Sequence, residues 1–147
     1  MPQSPPEGMP HLTPMLFYED VAGALESLQK AFGFSEAMRI PGPEGAIMHA
    51  EMTLGAARIM LGPAQPDNGM QSAAKLGGVN QSLYVFVDDV DAHCAQARTA
   101  GATIVSEPED MFWGDRMYYA QDAEGHHWNF ATHVKDVAPE DMKPPTG

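Results

Sequence analysis

In the first half of the chain, the spacing of the hydrophobic residues changes from strand-like to helix-like and back to strand-like. A short, mainly apolar run comes first and predicts a β-strand. From Val21 to Phe32 the apolar side chains recur every three or four residues, which predicts an amphipathic helix with Asp20 as its N-cap and Gly33 as its stop. Shorter apolar runs follow and predict further strands. The strands expected in this half span residues 12–18, 36–40, 46–54 and 57–61.

The second half repeats this order. Residues 82–87 alternate between two kinds of side chain and predict a strand, which is followed by Asp88-Asp89. Apolar positions at Val90, Cys94 and Ala97 then predict a second amphipathic helix. The remaining strands expected in this half span residues 103–107, 116–121 and 126–132.

A single offset of 69 residues brings the two halves into register. It places Asp20 on Asp89, before each helix, and Ile59 on Trp128, in the last strand of each half. Chance similarity between two generic halves is the alternative. Because one offset serves the first strand, the helix and the last strand, we interpret the chain as two copies of a β-α-β-β-β unit, of class α+β.

Turn-forming residues divide the chain further. Its length of 147 residues suits one domain. Proline, glycine and polar residues dominate the middle of the chain and predict a linker, and both proline-rich ends predict flexible tails. The expected division is an N-terminal tail (1–10), a first module (11–62), a linker (63–80), a second module (81–135) and a C-terminal tail (136–147).

Alternation within the strands gives each sheet two different faces. Leu83, Val85 and Val87 form an aliphatic side that should pack on the helices, and Tyr84 and Phe86 share the other side. An apolar face with a few polar groups is typical of a small-molecule pocket. A dimer interface or a closed second core is the alternative interpretation of this face.

Charge and cysteine content narrow the classes of partner and compartment. The formal net charge of −12 repels phosphate, so we expect neither nucleic acid nor an anionic membrane as a partner. The single cysteine, Cys94, excludes an internal disulfide framework and a cysteine-clustered zinc site. No apolar run approaches the roughly 20 residues of a membrane helix, and residues 1–10 lack the features of a signal peptide. A cytoplasmic location is therefore expected.

These features together resemble the vicinal oxygen chelate superfamily, the group of glyoxalase I, extradiol dioxygenases, fosfomycin-resistance enzymes and bleomycin-binding proteins. The resemblance covers about residues 11–135 and implies two βαβββ modules around an open, barrel-like cleft, in a homodimer. The run from His49 to Glu51 and the tail from His133 to Val137 resemble its PhnB-like, glyoxalase-like branch. The motifs that carry the superfamily resemblance are Phe17-Tyr18-Glu19-Asp20-Val21, Val87-Asp88-Asp89-Val90, Gly114-Asp115-Arg116 and Asp122-Ala123-Glu124-Gly125-His126.

The resemblance also implies where a metal would be held. Metal enzymes of this superfamily usually take His or Glu ligands from the first and last strands of each module, and the matching positions here are Thr13, Met60, Ser82 and Asn129. Two hydroxyls, a thioether and a neutral amide are poor ligands for a divalent metal. The sequence therefore argues against glyoxalase I, dioxygenase and metal-dependent thiol-transfer chemistry at that site. We expect no cofactor, and a divalent metal is disfavoured.

Three polar residues are the candidates for catalysis. His49 and Glu51 lie two apart on one strand and point the same way, and His127 could approach from the other module. The trio could form a displaced metal site or act without metal as a general base for an isomerase or lyase step. In the plainer alternative, Glu51 pairs diagonally with Arg58 across a hairpin while His49 donates a hydrogen bond nearby.

The remaining candidates are for ligand binding. Trp113, beside Gly114, could act as a lid over a flat ligand, or its loop could be pinned to the core. Arg116 could neutralise an anionic group or pair with Asp115 or Glu109. We expect either a protein that binds a small apolar or aromatic molecule, or a glyoxalase-like lyase or isomerase that uses His49 and Glu51. The expected ligand-binding residues are Phe17, Met60, Tyr84, Phe86, Trp113, Arg116, Tyr119 and Asn129.

Overall fold

The computed structural model describes residues 2–146, and the strands and helices follow the order expected from the sequence. None of the helices in this range is long and apolar enough to cross a membrane. The first half contains β1 (Met15–Tyr18), α1 (Val21–Phe32), β2 (Ser35–Pro41), β3 (Ile47–Leu54) and β4 (Ala57–Pro63). A short helix, α2 (Ala73–Leu76), follows, and the second half contains β5 (Leu83–Phe86), α3 (Val90–Thr99), β6 (Thr103–Asp110), β7 (Asp115–Gln121) and β8 (His127–His133).

In each half the first and last strands lie side by side. The strand orders are β1-β4-β3-β2 and β5-β8-β7-β6, and the β1–β4 and β5–β8 pairs are parallel. Met15 lies opposite Met60 in the first sheet, and Tyr84 lies opposite Asn129 in the second. Because both members of the second pair are 69 residues after those of the first, the repeat and the α+β fold class are confirmed.

The first helix begins and ends at the residues expected. The Asp20 carboxylate accepts a hydrogen bond from the Gly23 backbone N–H at 3.0 Å, as an N-cap does. A Cβ on Gly23 would lie 2.4 Å from an Asp20 side-chain oxygen, so a larger residue there would displace the capping carboxylate. At the other end Gly33 has a φ of +81° and donates its N–H to the Gln29 carbonyl.

The two modules share one hydrophobic core between the helices and the sheets. The Phe32 ring lies 4.7 Å from Phe130 and the Phe34 ring lies 5.4 Å from Trp128, measured between centroids. The imidazole of His93, on α3, donates to the Phe32 carbonyl at 2.8 Å. Each module therefore covers part of the apolar face of the other, and neither has a separate core.

A buried carboxylate joins the end of β1 to the turn between β7 and β8. Asp122 accepts hydrogen bonds from the Tyr18 hydroxyl at 2.6 Å and from the Trp128 indole N–H at 3.1 Å. The nearby Glu124 carboxylate accepts from the backbone N–H groups of Glu19 and Asp20 at the start of α1. This junction fixes the orientation of the modules relative to one another.

Several element boundaries differ from those expected. Strands β1 and β5 begin at Met15 and Leu83, so Thr13 and Ser82 lie just before them; Pro14 has no N–H with which to extend the ladder. Strand β6 continues to Asp110, beyond the expected residue 107. Within the expected linker, α2 begins at a serine N-cap, Ser72, which accepts from the Lys75 N–H.

Candidate functional site

We call the side of each sheet that faces away from the helices the open face, and on β5 it is the mixed side that the alternation predicts. On β5, Leu83 and Val85 pack against the core, whereas Tyr84 and Phe86 are 43% and 61% exposed. The Tyr84 and Phe86 rings lie edge to face with centroids 5.5 Å apart. Two large aromatic rings are thus presented together on the open face of the second sheet.

Hydrogen bonds hold the ring of Tyr84 in place. Its hydroxyl donates to Asp115 at 2.6 Å and accepts from the Trp113 indole N–H at 3.1 Å. Trp113 in turn lies at 88° to Phe112, with centroids 4.9 Å apart. We call Tyr84, Phe86, Phe112 and Trp113 the aromatic cluster, since these contacts position them as one group.

Asp115 is the electrostatic centre below the aromatic cluster. Its second oxygen accepts from His133 at 2.8 Å, and the other nitrogen of His133 contacts Asp136 at 2.7 Å. Although the ring is partly exposed, desolvation of the enclosed hydroxyl raises the pKa of Tyr84 to about 12, and the hydrogen bond to Asp115 adds to the effect. Although burial opposes it, the hydrogen bonds from Tyr84 and His133 hold the pKa of Asp115 below its ordinary value. The aromatic cluster therefore lies over a stable carboxylate anion.

The C-terminal segment holds the loop that carries Trp113. The N–H groups of Val134 and Lys135 both donate to the Gly114 carbonyl at 3.0 Å. Gly114 has a φ of +102°, and a Cβ there would lie 2.0 Å from the Lys135 carbonyl oxygen. Glycine is therefore required beside Trp113.

The candidate catalytic residues His49 and Glu51 lie together on the open face of the first sheet. Glu51 accepts from His49 Nε2 and from Arg58 Nε, both at 2.9 Å, as in the plainer alternative. The hydrogen bond from His49, supported by Arg58, lowers the pKa of this buried carboxyl despite the opposing effect of burial. Both carboxylate oxygens are thus engaged, and Glu51 is an ion-paired anion.

His127 belongs to a different hydrogen-bond network. Its Nδ1 contacts the Tyr119 hydroxyl, and its Nε2 lies 3.2 Å from the Gln121 amide nitrogen. Among residues 2–146, no group of three or more His, Cys, Asp or Glu side chains is arranged to hold a metal ion. Within one chain, His127 therefore does not complete a metal site with His49 and Glu51.

The four positions where the superfamily's metal enzymes take their ligands carry a donor set that does not fit a divalent metal. Asn129 turns its amide nitrogen, a donor, towards the hydroxyl of Ser82 at 3.0 Å and the Leu83 carbonyl at 3.3 Å. Met60 lies opposite Glu51 in the β3–β4 pair and offers a thioether. A thioether, two hydroxyls and an amide N–H group do not form a ligand set for a divalent metal.

Arg116 lies on the helix side of β7, since it shares a face with the buried Tyr118. The expected pairing with Asp115 or Glu109 is wrong. The guanidinium of Arg116 instead bonds Asp91 on α3 and Asp110, its cross-strand partner. Asp115 is not available, because adjacent strand residues point to opposite faces. The structure therefore does not bring Arg116 to the open face.

A cavity of about 780 Å³ lies between β1, the linker and the start of β8. Of the expected site residues, Phe17 and His127 line it. The sequence did not indicate the linker wall, in which Met70, Leu76 and Val79 take part. Apolar residues within an otherwise turn-like segment were the sequence signal that could have indicated this wall. We call this space the linker cavity.

Two smaller grooves open beside β5. Tyr84 and Arg58 share a groove of about 260 Å³. Phe86 lines another of about 350 Å³ with Leu54 and His93. Both aromatic residues of β5 therefore border recessed surface, which suits contact with a small ligand.

Comparisons with known proteins agree with this architecture. Residues 8–130 match the model of the glyoxalase/bleomycin resistance protein/dioxygenase superfamily. An uncharacterized protein of Mycobacterium bovis is 35% identical over 137 residues, which cover 91% of this chain and 90% of that protein. An uncharacterized protein of Mycobacterium tuberculosis has the same identity, over 81% of its own length.

Solved structures are similar over most of the chain. TioX from Micromonospora sp. ML1 is 34% identical with a TM-score of 0.69, and the match covers 86% of this chain and 100% of that one. A glyoxalase/bleomycin resistance protein/dioxygenase from Nocardioides is 19% identical with a TM-score of 0.59, over 89% of this chain and 88% of that one. At 19% identity the second match supports the fold alone.

Proposed function

Because the chain belongs to the glyoxalase/bleomycin resistance protein/dioxygenase superfamily, we propose that it binds a small apolar or aromatic molecule. The observation that carries the proposal is the exposed, edge-to-face pair of Tyr84 and Phe86. A ligand ring that stacks on this pair would bury apolar surface of both rings, and each aromatic pair contributes about 0.5–1.5 kcal/mol beyond the area buried. Trp113 provides a further ring beside Tyr84.

Preorganisation supports the same assignment. The Tyr84 hydroxyl has a donor and an acceptor partner within the protein, so the ring needs no rearrangement to accept a ligand. Phe17 and Met60 on the first module, and Tyr119 and Asn129 on the second, add to the proposed binding surface. Arg116, which pairs with Asp91 and Asp110, would contribute by fixing β7 against α3.

The test is a fluorescence titration with planar aromatic compounds. We expect saturable quenching of Trp113, because this indole lies in the aromatic cluster whereas the other tryptophan, Trp128, is buried in the core. The ligand should be recovered unchanged. Trp113→Phe should abolish the quenching and Phe86→Ala should weaken binding about tenfold. Equal binding by the wild type and Phe86→Ala would contradict the proposal.

A glyoxalase-like lyase or isomerase is the second candidate. The buried Glu51 carboxylate on an open face favours it, with His49 at 2.9 Å as a proton carrier and His127 on the second module. Such an enzyme would convert its ligand, and Glu51→Gln would remove the turnover but leave binding intact. Recovery of unchanged ligand from the wild type argues for the binding protein instead.

We also propose a homodimer. In the described range, β1 and β5 each have one strand neighbour, so each leaves one edge open. Leu12, just before β1, is 78% exposed near one of these edges, and a second chain would protect both edges. We further propose that the chain belongs to the PhnB-like branch, from the runs at His49 and His133. A cytoplasmic location is also proposed, in keeping with the single, buried Cys94.

A further inference from the structure

The linker cavity is lined without any formally charged side chain. No Asp, Glu, Lys or Arg is among the residues that line it, all of which lie in the described range, although the chain has 20 acidic and 8 basic residues. Its volume of about 780 Å³ lies within the range of small-molecule sites. A charged ligand would lose the hydration of its charge there without gaining a counter-charge. A neutral ligand has no charge to desolvate, so it avoids this cost.

The cavity wall contains apolar side chains that the fold leaves exposed. Met70, Leu76 and Val79 are 45%, 56% and 39% exposed, on a segment rich in glycine and polar residues. Met15 and Phe17 face them from β1. The two groups form opposite apolar sides of one space, which would be covered if an apolar ligand lay between them.

The linker is held in place and does not rely on a ligand for its shape. Gln65 and Met70 exchange backbone hydrogen bonds of 2.6 and 3.1 Å. The Ala74 N–H donates to the Glu124 carbonyl at 2.9 Å, which ties α2 to the turn before β8. The cavity is therefore preformed, and binding would cost little conformational entropy.

One polar group in the cavity has a defined hydrogen-bonding role. The Nε2 of His126 lies 2.8 Å from the Phe17 carbonyl, which can only accept, so Nε2 carries the proton. In the neutral imidazole, Nδ1 is then a lone-pair acceptor. A matching ligand offers an O–H or N–H donor next to an apolar body.

We propose that the linker cavity is a second binding site, separate from the aromatic cluster, for an uncharged amphipathic molecule that carries a hydrogen-bond donor. Its apolar body lies between Met15 and Phe17 on one side and Leu76 and Val79 on the other. Phe17 borders the proposed binding surface as well, but the linker cavity contains none of Tyr84, Phe86, Phe112 and Trp113. The two sites therefore respond to different substitutions.

The test uses three probes of the same three-ring shape and different charge. These are 1-aminoanthracene, which is neutral and has an N–H donor, anthracene-1-carboxylate, an anion, and 9-aminoacridine, a cation at neutral pH. Equilibrium dialysis against the full chain measures how many molecules bind and how tightly. We expect two molecules of 1-aminoanthracene to bind per chain. Any binding of the charged probes should be the same in Val79→Glu as in the wild type.

The variants assign each bound molecule to a site. Val79→Glu should weaken one of the two 1-aminoanthracene sites at least tenfold, because it places a carboxylate on the wall. Phe86→Ala should weaken the other, and the matched control Val105→Glu, at a position on β6 that is 49% exposed, should keep both. Val79 is itself exposed, and a circular-dichroism melt confirms that the variant folds.

The outcomes distinguish binding at the linker site from binding at the aromatic cluster. If Val79→Glu removes one site and Phe86→Ala changes nothing, the linker site stands and the aromatic cluster does not. Unchanged binding by Val79→Glu overturns the linker site, whatever Phe86→Ala does. Dissociation of a dimer by Val79→Glu, measured by sedimentation, also overturns it, because the wall would then be a contact between copies.

Discussion

At the scale of single residues, the Asp122 carboxylate stands out because it accepts four hydrogen bonds. One oxygen accepts from Tyr18 and Trp128, and the other from the N–H groups of Glu124 and His126 at 3.0 Å. Burial, reinforced by the negative charge of Asp122, holds the pKa of Tyr18 well above its ordinary value, so the phenol remains a donor. A single carboxylate thus satisfies two buried donors from two modules.

Replacing this carboxylate should destabilise the whole chain. Asp122→Ala leaves the hydroxyl of Tyr18 and the indole N–H of Trp128 buried without partners, and each such group costs about 1–3 kcal/mol. We expect the free energy of unfolding in urea to fall by about 3 kcal/mol, and by about half of this in Tyr18→Phe. The control Asp67→Ala, at an exposed position, should change it by less than about 0.5 kcal/mol. Equal effects of the two alanine variants would refute this role.

At the scale of elements, the contact between α1 and α3 depends on an imidazole. His93 extends from α3 between the Phe32 carbonyl and the Tyr118 hydroxyl, which lies 2.6 Å from its Nδ1. Its ring also lies 4.3 Å from Phe130, between centroids. Burial lowers the pKa of His93, since the imidazolium would lose its hydration there, although the Phe32 carbonyl partly opposes the shift.

This shift makes the helix contact sensitive to acid. Below about pH 6.5 the unfolded chain binds a proton at His93 that the folded chain does not, so the unfolding free energy decreases as the pH falls through this window. An NMR titration should give His93 a midpoint below 6.5. His133 should titrate above 6.5, because its hydrogen bonds to Asp136 and Asp115 favour the charged form. A common midpoint for both would contradict the assignment.

The elements themselves were largely predictable from the sequence, because the periods of hydrophobicity and the caps at Asp20 and Asp89 are local signals. The β3–β4 turn was predicted too, with Leu54 opposite Ala57 as expected. The contacts of Arg116 were not predictable. The acidic residues near it in the sequence alternate between the two faces of the strand, and only the strand register decides which of them it pairs with. The linker cavity was not predicted either, since it depends on how α2 is tied to the turn at Glu124.

At the scale of the whole molecule, charge and apolar surface act in opposite directions. Each chain has a formal net charge of −12, so two copies repel one another. The exposed Leu12 beside β1 and the open edges of β1 and β5 favour association. The proposed dimer should therefore be stronger at higher ionic strength, where the repulsion is screened.

Sedimentation equilibrium at two salt concentrations tests this balance. We expect a mass near twice the chain's 15.9 kDa in about 0.3 M NaCl and a higher dissociation constant at about 0.02 M. The Debye length shortens from about 20 Å to about 6 Å between these conditions. A constant mass of one chain at both concentrations, with protein above about 50 μM, would exclude the dimer.

The core shared between the two modules has a consequence for how the chain is made. Once residue 63 has left the ribosome, β1 can pair with β4. The apolar surface of Phe32 and Phe34, however, stays uncovered until Trp128 and Phe130 have been synthesised. At about 5–20 residues per second, the 69 residues of one repeat take roughly 3–14 s to synthesise. For that interval the nascent first module presents uncovered aromatic surface, which is the kind of surface that ribosome-associated chaperones bind.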